Sequence, residues 1–195
     1  MTTALLLTLG AYLMGSLSTA IITCKLLGLP DPRTQGSRNP GATNVLRIAG
    51  KKVAAVVLVG DAVKGLIPVL AARALQVDDN VLAAVGMAAF LGHLYPLYFG
   101  FHGGKGVATA FGVLLGAAWP VAVAVLIIWL LVAKVLRISS LAAVSAACLA
   151  PFVAWYIHSG YFLVMMTGAM SVLLLWRHRG NLHRMMSGGE GRIGG

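Results

Sequence analysis

The 195-residue chain is 59% hydrophobic and only 10% charged, with a mean hydropathy of +0.89 and a formal net charge of +10. That balance excludes a soluble domain with a polar exterior and marks an integral membrane protein, whose length holds about seven spans of roughly 20 residues and no soluble domain besides. The basic excess does not call for nucleic acid, because no soluble fold or aromatic-interleaved basic surface is there to present it.

In chain order, the first apolar run covers 3–24. It lacks a positive leading segment and is too long for a signal-peptide core, so it reads as a retained helix. Its Ser16, Ser18 and Thr19 are expected to bond helix to helix or helix to backbone. A polar loop, 25–52, follows and contains GSRNPGATNVLR, Gly36 to Arg47. The second span, 53–75, carries Asp61 and Lys64 at i and i+3; lone charges in a bilayer are costly, so they are expected to pair. After the acidic turn at Asp78 and Asp79 comes a third span, 80–99, and then the loop GFHGGKGVAT, Gly100 to Thr109. The apolar run beginning at 106 is about 30 residues long, too long for one crossing of a core about 30 Å thick. Pro120 predicts a break at Trp119-Pro120, giving a short helix, 106–118, and a full span, 119–137. Spans at 139–157 and 160–176 complete the series, followed by RHRGNLHRMMSGGE, Arg177 to Glu190.

The seven-span reading is an all-α polytopic helix bundle forming a single domain, 1–195, without internal repeats. Every Lys and Arg except Lys64 and Arg73 falls on one side of it, which the bias of basic residues assigns to the cytoplasm. The N-terminus is then outside and the C-terminus cytoplasmic, whereas six spans would divide the basic clusters between two faces. Gly112 and Gly116 form a GxxxG pair suited to close helix packing. Cys24 and Cys148 lie in separate spans and give no support for a disulfide or a metal site.

The unusual polar sequence lies on the cytoplasmic side, in three clusters expected to ring one cavity. In the first, Ser37, Asn39, Thr43 and Asn44 offer hydrogen bonds and Arg38 and Arg47 offer charge on a path set by Gly36, Pro40 and Gly41. In the second, Lys105 stands among Gly103, Gly104 and Gly106 at the start of the short helix, where amide N–H groups, the dipole and an ammonium favour a phosphate. This is not a nucleotide-hydrolysing loop: Gly106 stands where a Ser or Thr would hold magnesium, and Phe99 where the motif's first glycine belongs. In the third, His178 and Asn181 share a face if the last helix continues.

These stretches, AYLMGSLSTA, GSRNPGATNVLRIAGKK, DAVKG, GHLYPLYFGFHGGKGVAT and RHRGNLHRMMSGGE, resemble the bacterial acyl-phosphate:glycerol-3-phosphate acyltransferase family across nearly the whole chain. The resemblance implies a seven-helix enzyme of the bacterial cytoplasmic (inner) membrane, with its active site facing the cytoplasm and membrane lipid around it. Its substrates are acyl phosphate and glycerol 3-phosphate, its products lysophosphatidate and phosphate. By motif, substrate contacts fall on Ser37, Asn39, Asn44, Arg47, Gly103, Gly104, Lys105, Gly106, Ser140, His178 and Asn181, with catalysis on Lys105, His178 and Asn181. Ala143 replaces a second serine common in the family, and His102 a lysine found in some relatives.

The chemistry agrees with that implication. An acyl phosphate is already activated, so positioning and charge stabilisation can carry the transfer with no metal, cofactor or covalent intermediate. No histidine is followed by Asp at the His-x4-Asp spacing, which leaves His178 or a substrate phosphate oxygen as proton acceptor. A transporter for an organic anion would need polar residues continuing across the bilayer, and beyond Asp61 and Lys64 the spans nearly lack charge. A lipid-binding scaffold would not need three glycine-dense motifs.

Overall fold

The computed structural model describes residues 1–158 and 160–193, and every regular element among them is helical. Two compact units divide the chain, one spanning Met1–Ala117 and the other beginning at Ala118.

In the first unit the opening span is not the continuous helix that its apolarity suggests. It consists of α1 (Thr2–Gly15) and α2 (Thr19–Leu26), bent by 45°. Ser16 Oγ donates to the Tyr12 carbonyl at 2.8 Å, and Ser18 is extended, so the serines interrupt the ladder. Lys64 Nζ donates to the Leu17 carbonyl at 2.7 Å, satisfying an acceptor that lies at the break.

The next helix, α3 (Ala42–Ala74), starts inside the expected loop 25–52, which places Asn44 and Arg47 on a helix rather than in a turn. Gly50 at φ 81 kinks α3 and separates a loop-side piece, 42–49, from the crossing piece, 51–74. No atom lies within 4 Å of a Cβ built there, so the positive φ is what requires glycine. α4 (Asp79–Leu94) stops short of the expected 99, because Tyr95 precedes proline and leaves the α region (φ −131, ψ 68). Tyr12 Oη donates to the Tyr95 carbonyl at 2.8 Å and ties this end to α1. After a 3₁₀ turn at Leu97–Phe99 comes the expected short helix, α5 (Val107–Ala117).

Small residues let these helices approach. A Cβ on Gly15 would collide with the Ala89 carbonyl, and one on Gly92 with the Tyr12 carbonyl, so α1 and α4 meet backbone to backbone. The GxxxG pair does the same for α5 on α3: a Cβ on Gly112 would strike the Ala62 carbonyl, and one on Gly116 would lie 3.0 Å from Val69 Cγ1. Gly112→Ala should therefore destabilise the protein by about 1–3 kcal/mol, as overpacking does. A lowered thermal unfolding midpoint in detergent checks this; an unchanged midpoint would mean that the helices can separate freely.

The second unit consists of α6 (Trp119–Leu136), α7 (Ser139–His158), α8 (Tyr161–Arg177) and α9 (Arg179–Met186). The break expected at Trp119-Pro120 falls at Ala118 (φ −156, ψ 83), and the proline sits in the first turn of α6, where its missing N–H costs nothing. The last helix does not run straight on through His178. α8 and α9 are bent by 54° there, so His178 and Asn181 flank a corner instead of sharing one helical face.

By length and apolar composition four helices can cross a membrane, or six if each bent pair forms one span. Their outward surfaces are apolar: Val56, Val59, Ile67 and Leu70 on α3 and Ile127, Leu130 and Leu131 on α6 are all exposed. The chain is thus an all-α integral membrane protein.

Candidate active site

In the first unit the two glycine-rich loops each lead into a helix N-terminus, at Ala42 and Val107, and neither first turn contains an acidic residue. Asn44, from the first turn of α3, organises the first loop from within. Its Oδ1 accepts the Ser37 N–H at 2.8 Å, and its Nδ2 donates to the carbonyls of Pro32 (2.8 Å) and Gln35 (3.1 Å). Because the side chain is buried and so heavily engaged, its geometry is that of a brace for Ser37. Ser37, Arg38 and Arg47 are exposed and Asn39 is half-buried.

The second loop packs against the C-terminal end of α4 so closely that side chains are excluded. A Cβ on Gly103 would collide with the His93 carbonyl, one on Gly104 with the His93 imidazole, and one on Gly106 with the Phe90 ring. The Gly104 N–H donates to the His93 carbonyl at 3.2 Å. Lys105 is half-buried between these fully buried glycines. A Cβ on Gly104 would also lie 3.2 Å from the Pro40 carbonyl, so the two loops touch each other. The unpaired first-turn amides and the dipole of a helix start favour an anion, and both loops lead into such a start.

Two supports of these loops are not evident from the sequence motifs. Arg33 grips Asp31 through Nη2–Oδ2 at 2.7 Å and Nε–Oδ1 at 3.1 Å, and donates Nη1 to the Phe99 carbonyl at 3.2 Å, tying the first loop to the turn before the second. The hydrogen-bonded guanidinium holds the Asp31 carboxyl below its ordinary pKa. The other support is His93, whose Nδ1 lies 3.6 Å from Asp61 Oδ1. Asp61 and Lys64 do pair, at 2.8 Å, and His93 is a third member of that buried group. A histidine inside an apolar span was the signal that could have revealed it.

In the second unit Ser140, Asn181 and Arg184 converge on Glu190. Oε1 accepts from Ser140 Oγ and Asn181 Nδ2, both at 2.6 Å, and Oε2 from Arg184 Nε at 2.9 Å. Ser140 and Asn181 are candidates from the sequence motifs, whereas Glu190, the chain's single glutamate, has no role that its sequence context reveals. His178 is buried, with Nδ1 2.8 Å from the Leu174 carbonyl. That nitrogen must carry the proton to bond a carbonyl, so a neutral ring has its lone pair on Nε2. The Asn181 N–H donates to the His178 carbonyl at 2.8 Å, which binds the pair across the corner.

Burial opposes the charge on Glu190, but the hydrogen bonds from Ser140, Asn181 and Arg184 outweigh it and hold the carboxyl below its ordinary pKa. A lowered carboxyl pKa contributes stability that is complete above the unfolded value and is lost as pH falls through the folded one. Wild-type thermal midpoints should therefore fall more steeply than those of Glu190→Gln between about pH 5 and about pH 3. Parallel curves would mean that the charge of Glu190 does not hold this corner.

The family profile described as Glycerol-3-phosphate acyltransferase matches residues 5–188. A glycerol-3-phosphate acyltransferase of Methylococcus capsulatus is 55% identical over 184 residues, covering 94% of this chain and 93% of that one. Two crystal structures of PlsY (YgiH), an integral membrane glycerol 3-phosphate acyltransferase, also match. Its glycerol 3-phosphate form has a TM-score of 0.94 at 40% identity, covering 98% of this chain and 96% of that chain. Its lysophosphatidic acid form has a TM-score of 0.91 at 39% identity with the same coverage. With a family profile matched over residues 5–188 and identity this high over almost its whole length, the chain belongs to the glycerol-3-phosphate acyltransferase family.

Proposed function

We propose that this protein transfers a fatty acyl group from acyl phosphate to the 1-hydroxyl of glycerol 3-phosphate. The hydroxyl oxygen attacks the acyl carbonyl, the bond from that carbon to the phosphate oxygen breaks, and lysophosphatidate and inorganic phosphate leave. The observation that carries the reading is the buried Gly103-Gly104-Lys105-Gly106 loop at the N-terminus of α5, touching the first loop, in a chain 40% identical to an acyltransferase solved in its glycerol 3-phosphate form.

The proposed roles follow from chemistry. Lys105 and the amides around it stabilise charge that grows on the departing phosphate. Ser37 and Asn39 contact substrate from the first loop and Arg47 from the loop-side piece of α3, with Asn44 holding Ser37 in place, while Ser140, His178 and Asn181 act from the second unit. The departing phosphate can accept the hydroxyl proton. His178 is the alternative acceptor, favoured by the Nδ1 contact that directs its lone pair to Nε2. Neither metal nor cofactor is required, because the donor is an anhydride. We assign one catalytic domain and seven crossings: four long helices, two bent pairs and α5. The 11 residues of α5 rise only about 16 Å and leave it dependent on its packing against α3. The basic bias puts the N-terminus outside and the site on the cytoplasmic face of a bacterial inner membrane.

Purified protein in detergent, given acyl phosphate and glycerol 3-phosphate, should form lysophosphatidate and release phosphate. Uptake of glycerol 3-phosphate into sealed vesicles without chemical conversion would overturn the assignment. Equal rates with acyl-CoA would overturn the choice of donor.

A further inference from the structure

Asp61, Lys64 and His93 form a buried ionisable group with no direct place in the transfer just described. Asp61 is 3% exposed, Lys64 5% and His93 6%. Ionisable side chains at such depth are expensive, and a simple internal pair would need no third member. Each one instead reaches a different part of the first unit. Lys64 Nζ meets Asp61 Oδ1 at 2.8 Å and donates to the Leu17 carbonyl at the break between α1 and α2. Asp61 Oδ1 faces His93 Nδ1 at 3.6 Å, an electrostatic contact longer than a hydrogen bond. On its far side the His93 ring abuts Gly104, where Nε2 and Cε1 are the atoms a Cβ would strike first, and the His93 carbonyl accepts the Gly104 N–H. A chain of contacts thus runs from the break in the first span through Lys64, Asp61 and His93 to the loop bearing Lys105.

We propose that Asp61 and His93 are positioning residues for the phosphate loop. The Asp61 carboxylate fixes the ring, and the ring is the floor on which Gly103 to Lys105 rest, which sets where Lys105 and the start of α5 stand. Neither side chain needs to touch substrate. This inference rests on the reading of that loop as a phosphate holder. It also explains why α4 carries a polar group in an otherwise apolar segment, and why Gly104 has no room for a methyl group.

The test is steady-state kinetics of purified protein in detergent, varying glycerol 3-phosphate and acyl phosphate in turn. His93→Ala and Asp61→Asn should each raise KM for one of the two phosphorylated substrates at least tenfold. kcat should stay within about threefold; the thermal midpoint should stay close to wild type in His93→Gln, whereas Asp61→Asn strips the buried Lys64 of its counter-charge and should lower it. Asp61→Asn keeps an acceptor for Lys64, and His93→Gln keeps reach and a donor, so His93→Gln should restore much of the lost affinity. Because Asp61 acts through the ring, combining Asp61→Asn with His93→Ala should be no worse than His93→Ala alone. His93→Ala should also partly relieve the defect of Gly104→Ala by vacating the space its methyl group enters. Multiplicative effects, equal loss of kcat and KM performance with a falling midpoint, or variants indistinguishable from wild type would each overturn the positioning role. A wild-type protein that forms no lysophosphatidate would instead overturn the acyltransferase reading beneath it.

Discussion

Lys105→Ala is expected to lower the rate of lysophosphatidate formation by about 10³-fold, equivalent to about 4 kcal/mol of transition-state stabilisation, while leaving the thermal midpoint near wild type. The residue is half-buried between tightly packed glycines just before the N-terminus of α5, where a helix dipole and an added cation both favour negative charge. As the acyl carbon–oxygen bond breaks, negative charge builds on the departing phosphate, and a partly desolvated cation is worth far more there than in water. Lys105→Arg keeps the charge but not the compact point geometry, so it should recover only part of the rate. Alongside, His178→Ala distinguishes the proton acceptors: retained transfer leaves the task to phosphate, and loss comparable to that of Lys105→Ala assigns it to the imidazole. A Lys105→Ala protein with full activity would remove the electrostatic account altogether.

Gly106→Ala is expected to cost about 10²-fold in kcat/KM, through shape rather than charge. Gly106 has φ +88, a conformation costing a non-glycine residue about 1–3 kcal/mol, and its added methyl would enter the Phe90 ring and come within 2.7 Å of Leu94 Cδ1. Both neighbours are fully buried and cannot easily yield. The loop must then lift away from α4, carrying Lys105 with it and turning the first amides of α5 off target. The kinetic defect should accordingly exceed what a modest drop in thermal midpoint explains. Normal kinetics in Gly106→Ala would show that the amides need not hold this conformation.

Much of this was legible without coordinates, because hydrophobic runs and charge placement are local quantities. The crossing helices, the short α5 and the GxxxG contact follow from apolar length, proline and glycine alone, and the Asp61–Lys64 pair from the cost of charge in lipid. What the sequence does not carry depends on competition between partners. Nothing in the apolarity of the first run tells that Ser16 will turn to the Tyr12 carbonyl and that Lys64, on another helix, will take the Leu17 carbonyl. Nor does the composition of the first loop tell that Asn44 spends its amide on Ser37, Pro32 and Gln35 rather than keeping it available.

Sequence by itself determined the membrane class, the helical content and the residue types gathered for phosphate, since each reflects transfer energies or backbone preferences that belong to a short stretch of chain. Tertiary structure alone decided which polar groups became supports. His93 lies beneath Gly104, Arg33 reaches the Phe99 carbonyl, and Glu190 joins Ser140 to Asn181. Those roles arise from contacts between residues distant along the chain, where the penalty for leaving a buried donor or acceptor unmatched selects the partner.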